Sequence, residues 1–436
     1  MGKKDQRLIA ENQFLRAEQL FKARQFKKAG NKYHVAGNSY LKLKEFEKAK
    51  VCFINGAKSF IILEKFDTNI ELLRQSGEAC LHDSKFIEAN QIYKEVINYI
   101  PKLKNISDRN SNFVIFSVLS YLCSFVKGSP DEGLDFIKRT KKRVDKEYFK
   151  EHSLIKLVSE LTIALRDEDP KYLDKIKNNI DRYKFRDAEL KLLKNVLLLT
   201  KFKLLINSTF KLDKETYTTK EIINLNLGFD TSNLLQVLED PFLHYELDEF
   251  NITKILVNLS DNLAISKKSK APFRIEVGKQ SHLEFTFKPH FQVDNPRIGP
   301  MFLTCELNNN LIFIYETQSI EPHLISPPTT LNTSIKNLRP PLIGKTFPLE
   351  IVVENKGEGE ALDVKIAVEF PEDLKVMRGT TNKQIFSLKT NEDLKWEISL
   401  KPIEAGDYII KINIAFMDSD QNKIEETKDF PFSIKL

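Results

Sequence analysis

A twenty-residue repeat in the first hundred residues is the feature that most limits what this chain can fold into. Stepping by twenty from Phe26 meets a phenylalanine in the same column four times, and three other columns keep their character in parallel. Nine places before this column the residue is always small, three places after it is mostly alanine, and seven places after it is large. The columns are Phe26, Phe46, Phe66 and Phe86; Ala17, Gly37, Ala57 and Gly77; Ala29, Ala49, Asn69 and Ala89; Tyr33, Phe53, Leu73 and Tyr93.

The spacing fits one helix of about four turns and a short connection for every repeat. Small residues allow neighbouring helices to approach closely, and large residues fill the space beside each turn. Because a single unit cannot bury its apolar face, the units are expected to stack. The repeat therefore predicts a helical solenoid with nine packing residues between its helices: Gly37, Tyr40, Phe46, Ala49, Phe53, Gly77, Phe86, Ala89 and Tyr93.

The pattern changes after Ile206, where helical spacing of apolar residues gives way to the alternation that is typical of strands. "FRIEVGKQSHLEFTFKPHFQV" (273–293) and "MFLTCELNNNLIFIYETQ" (301–318) show this alternation, and the last hundred residues suit an immunoglobulin-like sandwich. We predict an α+β multidomain protein with an all-α solenoid at 1–206, a β-rich middle domain at 207–326, and an immunoglobulin-like sandwich at 327–436. Residues 207–270 give no clear pattern.

Charge divides at the same boundary. Residues 1–206 hold 41 Lys and Arg against 27 Asp and Glu, a net charge of +14, whereas the remaining residues hold 26 against 34, a net charge of −8. The densest basic segment is "KRTKKRVDK" (138–146). Such runs are commonly solvated helix faces, but a basic solenoid also favours acidic partners or an anionic membrane surface. Five residues are the predicted contacts: Lys138, Arg139, Lys141, Lys142 and Arg143.

Catalytic, nucleotide-binding and metal-binding motifs are missing from the sequence. It has no phosphate-binding glycine loop, no G-x-S-x-G, no H-E-x-x-H and no C-x-x-C pair. We therefore expect a non-enzymatic protein with no catalytic residues, no cofactor and no metal. Nucleic acid is not expected as a partner, because the basic segment lacks interleaved aromatic residues and the acidic half would repel a polyanion. A cytoplasmic location is expected, since the start lacks a signal peptide.

The repeat resembles the tetratricopeptide skeleton, in which a small residue and a tyrosine three places later are followed by alanine and an aromatic residue, as in Gly37, Tyr40, Ala49 and Phe53. More widely, residues 10–206 resemble the soluble NSF attachment proteins (SNAPs). The likeness rests on 17–60 ("AEQLFKARQFKKAGNKYHVAGNSYLKLKEFEKAKVCFINGAKSF"), 76–100 ("SGEACLHDSKFIEANQIYKEVINYI") and 158–185 ("VSELTIALRDEDPKYLDKIKNNIDRYKF").

This resemblance implies a twisted helical sheet whose basic face binds acidic four-helix SNARE bundles, and it implies recruitment of a hexameric AAA+ ATPase. The expected function is that of an adaptor in vesicle trafficking or membrane fusion, with peripheral membrane contact as a further expectation. Two alternatives remain open at this point. One is a subunit of a tethering or coat complex with β-sandwich appendages, and the other is a general tetratricopeptide scaffold.

Overall fold

The computed structural model describes residues 3–243, 245–290 and 296–435. The part of the chain before residue 206 is helical, and a β-rich region follows, as the sequence predicts. Residues 291–293 of the predicted strand segment 273–293 lie outside the described residues. The helices of the first half are α1 (Lys3–Lys22), α2 (Phe26–Lys42), α3 (Phe46–Ile62), α4 (Phe66–His82), α5 (Phe86–Val96), α6 (Ile106–Phe125), α7 (Pro130–Lys141), α8 (Lys146–Glu151), α9 (Ser153–Arg166), α10 (Lys171–Asn178) and α11 (Asp187–Leu205).

The second half contains a short helix, α12 (Leu234–Leu238), and two groups of strands. The first group is β1 (Asn207–Leu212), β2 (Thr216–Thr218), β3 (Ile223–Asp230), β4 (Glu249–Leu259), β5 (Leu263–Lys268), β6 (Phe273–Glu276), β7 (Gln280–Pro289), β8 (Ile298–Leu307), β9 (Leu311–Glu316) and β10 (His323–Ile325). The second group is β11 (Leu331–Asn337), β12 (Phe347–Asn355), β13 (Ala361–Glu369), β14 (Leu374–Arg378), β15 (Asn382–Leu388), β16 (Asp393–Pro402), β17 (Gly406–Met417) and β18 (Lys423–Ile434).

The twenty-residue period is set by how the first four helices end. Each is followed by one residue in the left-handed region, with φ between 54° and 61°, and these residues are Arg24, Lys44, Glu64 and Ser84. The next N–H then turns back to the carbonyl five residues earlier, as from Gln25 to Leu20 at 2.9 Å and from Lys85 to Cys80 at 2.9 Å. This closure reverses the chain, so that consecutive helices pack antiparallel.

The small and large columns of the repeat meet across neighbouring helices. Gly37 lies under the ring of Phe53, since an added Cβ at this glycine would be 2.6 Å from Cε1 of the ring. Gly77 lies under Tyr93 in the same way, one double repeat later. Eight of the nine predicted packing residues are buried or are glycines in these contacts, whereas Phe46 is half-buried and stacks on His82 with 5.2 Å between ring centroids.

We expect Gly77→Ala to lower the free energy of unfolding by up to about 2 kcal/mol. Alanine gains roughly 1 kcal/mol in helix propensity, but overpacking costs about 1–3 kcal/mol, because the added methyl would overlap the Tyr93 ring and Tyr93 is fully buried. Urea unfolding measures the change. Gly56→Ala is the control: its Cβ would be 3.2 Å from Cδ1 of Leu72, so it should be neutral or slightly stabilising. Equal losses of stability in Gly77→Ala and Gly56→Ala would show that close contact with the next helix's aromatic ring is not what requires glycine at position 77.

One hydrophobic core runs through the helices and into the first group of strands, from Ala10 to Leu324. At the junction, the ring of Phe202 in α11 lies 6.1 Å from Phe250 in β4 and 6.2 Å from Phe313 in β9, between ring centroids. The Tyr315 hydroxyl donates to the carbonyl of Ile206 at 3.1 Å. The helical and middle regions therefore pack as one unit, although the backbone changes character at residue 206.

The two groups of strands share one topology. The middle region has sheets ordered β1-β3-β7-β5 and β6-β4-β8-β9, and the last region has β11-β12-β16-β14 and β15-β13-β17-β18. Among the described strands, β2 and β10 pair only with each other. Without them, each strand of the middle region has a counterpart at the same position in the sheets of the last region. The likeness extends to a bulge, which falls between Ile265 and Lys267 in one pair and between Val376 and Arg378 in the other.

The last region has its own hydrophobic core, which extends from Leu331 to Ile434 and includes Trp396 at 8% exposure. The segment that joins it to the middle region is pinned to the turn between β12 and β13. Gly359 donates to the carbonyl of Pro328 at 2.9 Å and Lys356 to that of Thr330 at 2.9 Å. Side chains at the turn glycines Gly357 and Gly359 would overlap this segment, so the segment is held as part of the last region.

Candidate protein-interaction surfaces

Alternate helices of the array lie side by side and form one surface, the odd-helix face, made by α1, α3, α5 and α7. Ion pairs join each of these helices to the next across a sequence separation of 38 residues. They are Arg7–Glu45 at 3.1 Å, Glu47–Lys85 at 2.7 Å, Lys50–Glu88 at 2.7 Å and Lys94–Glu132 at 2.5 Å. Most of their side chains are partly solvent-exposed, so each pair contributes little stability but fixes the register of the face.

The odd-helix face has an apolar groove between α1 and α3. Its volume is about 400 Å³, and its lining is Phe14, Leu15, Tyr40, Val51 and Cys52, with Glu11, Glu47 and Lys48 at the rim. One repeat pair later, the Lys50–Glu88 ion pair bridges α3 and α5. The residues that stand forty places before this pair are Ala10 and Lys48, which cannot form it. The first step of the array therefore lacks this bridge, although Lys48 pairs with Glu11 of α1 at 3.8 Å.

The opposite surface, formed by α4 and α6, is covered by α11. Arg74 of α4 binds Glu189 of α11 through two hydrogen bonds of 2.7 Å, and the Glu189 side chain is fully buried. Arg186, at the start of α11, contacts Glu71 at 2.8 Å and Glu78 at 2.5 Å. These five residues form one ion cluster, named here the buried ion cluster after its fully buried member Glu189, although Glu71 is 45% exposed. Three carboxylates face two guanidinium groups in it.

Burial raises the pKa of Glu78 in this cluster to about 7. The nearby Arg186 opposes the rise, and the negative charge of Glu189 adds to it. The surplus carboxylate thus takes up a proton near neutral pH, which balances the cluster. The Arg74–Glu189 contact cannot be predicted from the sequence, because no sequence pattern pairs an arginine with a glutamate 115 residues away.

The five predicted partner-binding residues are all exposed at the C-terminal end of α7 and in the turn after it: Lys138, Arg139, Lys141, Lys142 and Arg143. Lys138 pairs with Asp135 on its own helix at 2.9 Å. Positive side chains are favoured at a helix C-terminus, because the helix dipole is negative there. The five residues thus form one exposed cationic segment. The dipole of α7 favours positive side chains at this end of the helix.

Chemically reactive groups are sparse among the described residues. The four cysteines are free and buried, and burial raises the pKa of the Cys52 and Cys80 thiols to about 12. Lys203 lines a cavity of about 340 Å³ with Glu168 and Glu316; burial lowers the pKa of this lysine, and the Glu316 and Asp131 charges oppose the shift. Over the described ranges no cluster of three or more His, Cys, Asp or Glu side chains could hold a metal ion.

Among the helices in the described part of the chain, none is both long enough and apolar enough to cross a membrane. The longest apolar run, 113–126, lies in α6 and the residue after it, and its side chains are mostly buried among other helices. Neither a protein-family model nor a curated protein matches the chain.

Proposed function

We propose that this protein is a non-enzymatic adaptor similar to the SNAPs, which holds acidic helical-bundle partners of the SNARE type against its basic helical region in vesicle trafficking or membrane fusion. The observation that carries the proposal is the exposed cationic segment 138–143 on an antiparallel helical array. Opposite charges across an interface steer association and set specificity. The same segment is the part of the chain that suits peripheral contact with an anionic membrane.

The tetratricopeptide-like character of the array belongs to this proposal. Support comes from the small residues that receive aromatic rings from the next helix, as Gly37 receives Phe53. A departure from an open solenoid is also clear, since α11 occupies the face formed by α4 and α6. A bundle partner would therefore bind on the odd-helix face, either along its helices or beside the basic end of α7.

The immunoglobulin-like character of both strand regions is the second part of the proposal. Eight strands in two facing sheets, with the same order in both regions, are consistent with it. In the last region the Tyr408 hydroxyl donates to the carbonyl of Glu404 at 2.8 Å, which is similar to a tyrosine corner. These sandwiches would dock a second partner, for which the SNAP resemblance implies an AAA+ ATPase.

The runner-up function is a subunit of a tethering or coat complex. One observation favours it: the last region has a separate core and is joined through the proline-containing segment 326–330, as an appendage would be. In that case the helical array would contact fellow subunits, and the chain alone would show little affinity for a SNARE-type bundle.

Fluorescence anisotropy with a labelled, soluble, acidic four-helix SNARE bundle tests the leading proposal. We expect the dissociation constant to rise as salt increases, because exposed charges are screened beyond roughly 10 Å at about 0.1 M salt. The triple variant Lys141→Glu, Lys142→Glu, Arg143→Glu should bind at least about tenfold more weakly.

The matched control is Lys267→Glu, Lys268→Glu, Lys270→Glu, which makes the same change of charge at exposed lysines of the middle region. This control should bind like the unmodified chain. Equal losses in the two triple variants, or an affinity that salt does not change, would show that the 138–143 segment is not the binding surface.

A further inference from the structure

Strand β15 lies at the edge of its sheet, where it pairs with β13 and, among the described strands, has no neighbour on its other side. The carbonyl of Thr381 accepts from Val368 of β13 at 2.8 Å, so odd-numbered residues point their main-chain groups toward β13. Even-numbered residues point theirs away, and the outward carbonyl of Leu388 accepts from the Asn355 side chain. The outward main-chain groups of 382, 384 and 386 therefore form a free edge for strand pairing.

Exposed apolar side chains are found on β15 and on the preceding strand β14, which is the edge strand of the other sheet. Phe386 is 89% exposed, and Met377 and Val376 of the adjoining β14 are 55% and 39% exposed. Natural edge strands are usually protected by charge, proline or a covering element. In the middle region the corresponding edge has Ser266 at the bulge, between Ile265 and Lys267, and exposed Arg274 and Glu276 on β6. Ile265 and its counterpart Val376 are both 39% exposed, so the last region differs from its structural counterpart by the exposed Met377 and Phe386.

The segment around the free edge is basic, although Asp363 of β13 accepts from the Gln384 side chain at 2.9 Å and pairs with Lys365 at 2.7 Å. Residues 374–391 contain four basic residues and no acidic one, although the chain after residue 206 is acidic overall. They are Lys375, Arg378, Lys383 and Lys389. Side chains alternate along a strand, so Phe386 points to one face of β15 and Lys383 to the other. A strand bound here would meet an aromatic ring on one face and positive charge on the other.

We propose that the free edge of β15 binds an extended peptide of a partner protein, in which acidic and apolar side chains alternate, by addition of a strand to the sheet. Main-chain hydrogen bonds to residues 382, 384 and 386 supply affinity, and Phe386 and Lys383 supply selectivity. A second copy of this chain is a poor occupant, because it would bring two basic edges together. The site lies apart from the 138–143 segment, so each proposal can fail without the other.

The test uses the full chain and fluorescein-labelled peptides of the sequences EVEVEVE, KVKVKVK and EVEPEVE, with anisotropy as the readout. We expect EVEVEVE to bind, and the other two to bind at least about tenfold more weakly, because one has the wrong charge and the other a proline that interrupts pairing. Gln384→Pro in the protein should also weaken binding at least about tenfold.

Proline at 384 removes an outward N–H and leaves the β13–β15 main-chain hydrogen bonds in place. It also removes the exposed hydrogen bond from the Gln384 side chain to Asp363, so thermal unfolding should change only slightly. Phe386→Ser is the second variant; this side chain is so exposed that its loss should weaken binding several-fold without changing stability. Binding of EVEVEVE that neither variant alters, or equal binding of KVKVKVK, would overturn the proposal. So would a concentration-dependent dimer that Gln384→Pro abolishes, which would assign the edge to a second copy.

Discussion

Phe202→Ala should lower the free energy of unfolding of the helical and middle regions together, by about 3–5 kcal/mol. Phe202 is fully buried where α11 meets β4 and β9, and its ring contacts Phe250 and Phe313. Removing the ring leaves a cavity that rigid elements on both sides cannot close. Because one core spans residues 10–324, the loss should appear in both regions and not in the last region, which has a separate core.

Calorimetry of the full chain, with far-ultraviolet circular dichroism to follow the helices, measures this. Two transitions are expected, and Phe202→Ala should move only the one in which helix is lost. Phe416→Ala is the matched control, since Phe416 is 2% exposed in the core of the last region and should move only the other transition. If Phe202→Ala shifts the helical signal while a transition of the middle strands stays in place, the two regions do not share a core.

Arg74→Met should cost about 3–5 kcal/mol, as expected when one partner of a buried ion pair is removed. The variant leaves the fully buried Glu189 carboxylate with the Arg186 N–H as its remaining hydrogen-bond donor, at 3.0 Å. Adding Glu189→Gln removes the uncompensated charge while keeping a side chain that can accept this N–H. The double variant should therefore be more stable than Arg74→Met alone, by about 2 kcal/mol.

Urea unfolding of the two variants and of Arg166→Met provides the measurement. Arg166 pairs with Asp167 at 2.7 Å, but its side chain is 70% exposed, so its loss should cost less than about 1 kcal/mol. A cost for Arg74→Met as small as that for Arg166→Met would mean that the buried ion cluster does not hold α11 against α4.

The helical half could be predicted from local pattern, because each repeat contains the information for its own helix and turn. The period of twenty residues in the Phe26 column predicted both helix length and the stacking of the helices, and the alternation after residue 270 predicted strands. The shared topology of the two strand regions is also visible in the sequence. "LEFTFKP" (283–289) and "WEISLKP" (396–402) end the corresponding strands β7 and β16 with the same pattern of buried and exposed residues.

Sequence by itself determined the elements whose periodicity is local: the helices of the first half and the alternating strands of the second. Tertiary structure alone decided that α11 leaves the array to cover α4 and α6, that the core continues past residue 206, and that β15 keeps a free edge. The first two depend on contacts between residues about a hundred positions apart, as in Arg74–Glu189 and Phe202–Phe313, and the third depends on the order of strands in the sheet. Such contacts are fixed by how elements pack, and residue periodicity within one element contains no information about its distant neighbour.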